Sequence, residues 1–288
     1  MQLLLYKTLW GHSGTFEQAC LQAVEEGFSG IEGPAPLDAV EQQHWRELLE
    51  HYQLDYIAEI CTAGSYVPDR CASLLQHLDS LQQRLEASLA LSPRFITCLG
   101  GCDAWEESRS CEFFLRAMAM AERYGVTISF ETHRGRSLFN PWVTERICRQ
   151  LPALKLTCDF SHWCVVCERL LEGEEEVLES IFPRAFHIHA RIGYDQGPQV
   201  PDPSAARYQP ARIKHERWWQ QIWMRKFERG EQSITMTPEF GPDGYQAIDV
   251  ATDQPVGDLW QMNCWIAEQQ RQQFAACRKT LFNKPFSG

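Results

Sequence analysis

The sequence predicts an α/β chain folded as one (β/α)8 TIM barrel, a single domain over residues 1–288. Three observations predict it. Strand-like and helix-like runs alternate from end to end. The length of 288 residues suits one such barrel, which can bury a large core. No linker or low-complexity segment divides the chain, and the Gln-rich EQQRQQF reads as the solvated face of a last helix.

The elements follow in order. MQLLLYKTLWGHSG is short for a signal peptide and has no small-residue cleavage site, so it reads as a first strand over Leu3–Leu9. Helical periodicity over 15–26 leads to a strand at Gly30–Glu32, and 37–52 leads to Asp55–Cys61. Helix 70–91 precedes Phe95–Leu99, and 105–124 precedes Val126–Thr132. Helix 140–150 precedes Leu154–Phe160, and 166–180 precedes Ala185–Arg191. Helix 210–229 carries Trp218, Trp219 and Trp223, best read as core or subunit packing. It leads to Ser233–Phe240, and a helix over 258–282 closes the pattern. The connections 192–209 and 241–257 are long and follow strand C-terminal ends, where this fold places active sites, so both are candidate lids, the first equally well a tolerated surface insertion.

Composition narrows the function. The net charge of −11 disfavours nucleic acid as a partner. No run of 18 apolar residues suggests a membrane span. Without a secretory signal the twelve cysteines are expected to be free thiols in a reducing, cytoplasmic setting. Cys164 and Cys167 form one C-x-x-C pair with no second pair to complete a structural zinc site. A homo-oligomer is compatible with the sequence.

The last four strands carry the chemical signal. Parallel strands buried on both faces should read as continuous apolar runs. Instead, with period two, Val126, Ile128 and Phe130 oppose Thr127, Ser129 and Glu131. Leu154, Leu156, Cys158 and Phe160 oppose Lys155, Thr157 and Asp159. Phe186 and Ile188 oppose His187, His189 and Arg191, and Ile234, Met236 and Phe240 oppose Thr235, Thr237 and Glu239. The apolar phase is expected under the helices and the polar phase along the barrel axis. Each polar phase ends in a metal-competent residue: Glu131, Asp159, His189 and Glu239. Three buried carboxylates converging on one axis call for a cation. His187 lies one layer deeper, ~6.6 Å along the strand. It is expected to be a core histidine held by Thr157 or Thr235. Glu32 and Glu59 end early strands and are expected first as structural hydrogen-bond partners, with lining of the pocket as the alternative, and His133 is expected as a rim residue.

The ordered motifs SFETH, CDFSH, HIHAR and TPEFG, with GFSGIEGP on the second strand, resemble the xylose isomerase-like TIM barrels. This family includes sugar epimerases, hydroxypyruvate isomerases and keto-inositol dehydratases. The resemblance implies one divalent metal ion on Glu131, Asp159, His189 and Glu239. It implies Glu131 and Glu239 as the catalytic acid/base pair, and His162 in contact with substrate. Arg191, one layer further out at the mouth, is expected either to meet a substrate oxygen or to form a structural salt bridge, and His12 is a weaker expected substrate contact. Relatives that cut abasic DNA with three zinc ions need extra histidines on the early strands and an Asp-x-His after the seventh. YIAEICTAG, FITCLGGCD and YDQGP lack them.

Three carboxylates and an imidazole suit Mn²⁺, Mg²⁺ or Co²⁺, with Zn²⁺ also compatible. The expected function is a metal-dependent isomerase or epimerase of a small sugar or related α-hydroxy ketone, acting through an enediolate. The alternatives are a dehydratase of a keto-inositol or dehydroshikimate-like ring, and a non-catalytic sugar-binding protein.

Overall fold

The computed structural model describes residues 1–242 and 244–282. Among these, eight parallel strands close into a barrel in sequence order. They are β1 (Gln2–Thr8), β2 (Gly30–Gly33), β3 (Asp55–Cys61), β4 (Ile96–Leu99), β5 (Ile128–Glu131), β6 (Leu156–Cys158), β7 (Ala185–Ala190) and β8 (Ser233–Pro238). Outside them lie α1 (Phe16–Glu25), α2 (Ala39–Tyr52), α3 (Leu74–Leu89), α4 (Glu107–Arg123) and α5 (Pro141–Gln150). After these come α6 (Ser161–Cys167), α7 (Glu175–Ile181), α8 (Gln209–Glu228) and α9 (Leu259–Phe282). Closure is made by β1 against β8, with Leu5 opposite Met236.

Local chemistry sets the helix starts. Thr15–Gln18 and Ser73–Gln76 are complete capping boxes for α1 and α3. Asn140 caps α5 ahead of Pro141, whose missing N–H costs nothing at that position.

One expected helix is corrected. The run 166–180 is divided between α6 and α7. Glu168, Leu171 and Gly173 adopt left-handed backbone (φ 51°, 54° and 84°), which a right-handed helix cannot pass through. The sixth strand is also shorter than expected. The Asp159 carboxylate accepts the Ser161 amide at 2.8 Å, which turns the chain into α6 and places His162 in its first turn.

The barrel is layered along its axis. Tyr6, Ile57 and Phe95 plug the N-terminal end. Above them is a polar layer: Thr157 bonds Thr97 at 3.2 Å and Ser129 at 2.5 Å, while His187 meets Thr235 at 2.7 Å. Ile128, Phe130, Leu156, Ile188 and Met236 pack outward under the helices. This is the expected phase. Trp218, Trp219 and Trp223 are buried in that outer core. All twelve cysteines are free.

The connection after β7 is not a free lid. Val200 bonds back to Ile192, and the Gln199 side chain clasps Gly241 through both its backbone amide (2.9 Å) and its carbonyl (3.1 Å). The connection after β8 carries a small ribbon, Ile248–Asp249 against Gln254–Pro255.

Arg136 ties the top of the barrel together. Its buried guanidinium donates to the carbonyls of Thr62 (2.6 Å), Gly101 (3.3 Å), Tyr66 (3.3 Å) and Ser65. Arg136→Leu leaves several of these without a donor, at about 1–3 kcal/mol each. The expected loss is at least about 3 kcal/mol in denaturant unfolding. A loss below about 1 kcal/mol would show that the loop re-solvates freely.

Candidate active site

Glu131 ends β5, Asp159 follows β6, His189 lies in β7 and Glu239 follows β8. All four are buried. One ligand-capable atom from each lies within 4.8 Å of the others. Donors 2.0–2.2 Å from one ion are at most about 4.4 Å apart, so the set is of the right size for a single divalent cation after slight contraction. Thr132 fixes Asp159 from below: its hydroxyl accepts the Asp159 amide (2.8 Å) and donates to its carbonyl (2.9 Å).

His189 explains the role of Glu32. The Glu32 carboxylate faces His189 Nε2 at 3.0 Å and His187 Nε2 at 3.1 Å, and also receives the Thr237 hydroxyl. Donation from Nε2 leaves Nδ1 of His189 facing Glu239 (3.1 Å) and Glu131 (3.4 Å). His189 Nδ1 and Glu239 Oε2 are buried without a formed hydrogen bond. A nitrogen lone pair between two carboxylates is repulsive unless a proton or a metal ion lies there. Burial works against charge on His189, yet Glu239, Glu32 and Glu131 hold its pKa well above the usual histidine range. The donor chemistry therefore fits a cation. His187, bonded to Thr235 and Glu32, is the structural histidine expected from the sequence.

Arg191 is deeper than expected. The sequence places it one layer outward, at the mouth. Its Nη2 instead lies 2.5 Å from Asp159 Oδ2 and 3.3 Å from Glu239 Oε2, and donates to His162 Nε2 at 2.8 Å. The carboxylate ring thus already contains one cation, held in the kind of salt bridge that is the alternative expectation for Arg191. The guanidinium also faces the rings of Trp10 (5.2 Å) and Tyr245 (4.9 Å).

A cavity of about 150 Å³ lies in front of this ring, on the order of five water volumes. Glu131, Glu239, Arg191, His133 and Glu59 form its polar wall, and Trp10, Tyr66, Leu99 and Tyr245 its apolar wall. The proposed contacts of His162 and His12 are not on that wall. His162 packs against His133 at 3.8 Å between ring centres, and its burial, with His133 and Arg191 beside it, holds its pKa well below the usual histidine range. His12 bonds the Thr15 carbonyl at 2.9 Å in a separate outer cleft. Glu59 lines the cavity, the second of the two roles its strand-end position allows. Burial, with Glu239 and Glu131 nearby, pushes its pKa up to about 8.

The two catalytic candidates differ in proton affinity. Burial drives Glu131 up to about 7, against the pull of His189. Burial also opposes charge on Glu239, but His189 and Arg191 outweigh it and hold Glu239 below the usual carboxylate range. Such a split separates an acid from a base.

The model of the xylose isomerase-like TIM barrel family matches residues 20–210. The chain belongs to this family. No protein of curated function matches it. Among solved structures, L-ribulose 3-epimerase superposes with TM-score 0.69 at 12% identity, covering 100% of both chains. D-allulose 3-epimerase from Methylomonas sp. gives 0.63 at 14%, over 94% of this chain and 98% of that one. Endonuclease IV from Thermus thermophilus gives 0.60 at 14%, over 96% and 100%. Likeness at these identities is one of fold, and one fold serves unrelated activities. No helix among the described residues is long and apolar enough to cross a membrane.

Proposed function

We propose that the chain is a divalent-metal-dependent isomerase or epimerase of a small ketose or related α-hydroxy ketone. One observation carries the reading. Two buried glutamates, Glu131 and Glu239, face the same His189 nitrogen from the ends of β5 and β8, and both line one small cavity. Glu131, Asp159, His189 and Glu239 would hold the cation. When bound, it supplies positive charge beside a developing oxyanion.

The protein's residues would do the rest. The Glu239 carboxylate takes the proton from the carbon next to the carbonyl; the C–H electron pair becomes the C=C bond of an enediolate while the C=O π pair moves onto the carbonyl oxygen. Protonated Glu131 returns a proton to carbon from the other side. The two groups exchange protonation states, and solvent exchange resets them. Trp10 and Tyr245 shield the intermediate from water. Arg191 offers its N–H groups to a substrate oxygen.

Metal removal tests the reading. Dialysis against EDTA is expected to abolish turnover of candidate ketoses, and Mn²⁺, Mg²⁺ or Co²⁺ to restore it. Turnover in ²H₂O should place deuterium at the epimerised carbon. Full activity after verified metal removal sinks the metal assignment, and loss of water from the product assigns a lyase instead.

A further inference from the structure

A larger open cleft of about 720 Å³ lies beside the inner cavity, between the turn after β1, the face of α1 and the start of α9. Trp10 lines both spaces and forms the wall between them. The mechanism above leaves this cleft unused.

Lys7 lines the cleft and is only 4% exposed. Its ammonium faces the Trp260 ring at 4.3 Å and reaches the Thr8 carbonyl at a long 3.4 Å. Among the described residues no carboxylate forms an ion pair with it. Burial lowers its pKa to about 8. A buried ammonium without a counter-charge is costly, and the usual remedies are an anion or neutralisation. Gln22, on the same cleft, also has a buried side-chain oxygen with no partner. Rotation of that amide exchanges its oxygen for two N–H donors. The acidic neighbours do not neutralise Lys7: the Asp258 carboxylate caps α9 by accepting the Gln261 amide at 2.9 Å, and Glu25 sits on the exposed rim.

We propose that this cleft is an anion-binding site in which Lys7 and Gln22 hold a phosphate or carboxylate group. The volume exceeds that of a bare ion and is in the range of metabolite sites, so the group would be carried on a larger molecule. That molecule is either the substrate, whose reacting end occupies the inner cavity past Trp10, or a separate ligand. The first case rests on the proposed function; the second does not.

Inorganic phosphate is the probe. It is expected to bind saturably by calorimetry and to protect Lys7 from acetylation, read by mass spectrometry, while exposed Lys279 is unprotected. Lys7→Met should weaken phosphate binding at least tenfold and Lys7→Arg should keep most of it. Lys7→Met should also melt higher than the wild type without phosphate, since a buried unpaired charge is gone. That rise separates lost binding from misfolding. Equal phosphate binding by Lys7→Met, or no protection of Lys7 beyond that of Lys279, overturns the inference.

A second arm identifies the source. If the anion belongs to the substrate, a ketohexose phosphate has a KM at least tenfold below that of the free ketohexose, and Lys7→Met erases the gap. If it is a separate ligand, the two KM values agree while phosphate still binds at Lys7. If no ketose is turned over, the proposed function falls, and the phosphate measurement still decides the inference.

Discussion

Glu239→Gln is expected to cut turnover by about 10²–10⁴-fold, the range for loss of a general base. The substitution preserves shape and leaves the neighbouring packing in place. What it removes is the ability to accept a proton at Oε2, the atom 3.1 Å from His189 and 3.3 Å from Arg191. It also removes one negative charge from a ring that holds Arg191, so metal affinity falls as well. The measurement must separate these effects. Turnover is therefore taken at saturating Mn²⁺ with bound metal quantified, and the loss should lie in kcat. Solvent deuterium exchange into the substrate carbon should fall in parallel, because it needs the same proton abstraction. Glu131→Gln should slow product formation while leaving more of the first abstraction intact, as expected of the group that returns the proton. Turnover of Glu239→Gln within tenfold of the wild type at equal metal content would remove Glu239 from the chemistry.

The fold and the four-residue ring were legible in the sequence for one reason. A closed parallel barrel gives each strand an inside and an outside, and period two assigns residues to them. Glu131, Asp159, His189 and Glu239 lie near strand ends and have fewer rotatable bonds than arginine, so their backbone phase largely fixes where their donors go. The rest depended on things that phase does not carry. Arg191 shares that phase, but its length and flexibility let it fold back to Asp159 rather than outward. Glu32 meets His189 across 157 positions, a pairing set by barrel closure. Trp10, Tyr66 and Tyr245 come from turns whose paths have no periodicity. Tyr245 follows Gly241, where a Cβ would strike the Trp10 ring at 2.1 Å, so a glycine is the condition for that aromatic wall. The left-handed residues Glu168 and Leu171 that divide α6 from α7 belong to types that give no such warning.

Arg191→Met tests whether the guanidinium and a divalent cation serve the same carboxylates. Arg191 is 2% exposed, and its ion pairs with Asp159 and Glu239 are buried on both sides. Removing one partner of such a pair leaves the other charged and unpaired, at about 3–5 kcal/mol. In a chain of this size that corresponds to a fall in Tm of roughly 5–10 °C in EDTA. Burial pushes the Asp159 pKa up and Arg191 opposes this, so loss of the guanidinium favours proton uptake, which offsets part of the cost. A divalent cation relieves it differently, by binding only the folded ring. At a free concentration near 1,000 times Kd it restores about 4 kcal/mol. The variant should therefore recover most of its lost stability with Mn²⁺, while the wild type gains less because its guanidinium already neutralises Asp159. Equal Mn²⁺ gains in the two proteins would mean that the cation and Arg191 do not compete for Asp159. A variant that melts with the wild type in EDTA would mean that the carboxylates are held neutral by protons, and that the guanidinium contributes orientation rather than charge.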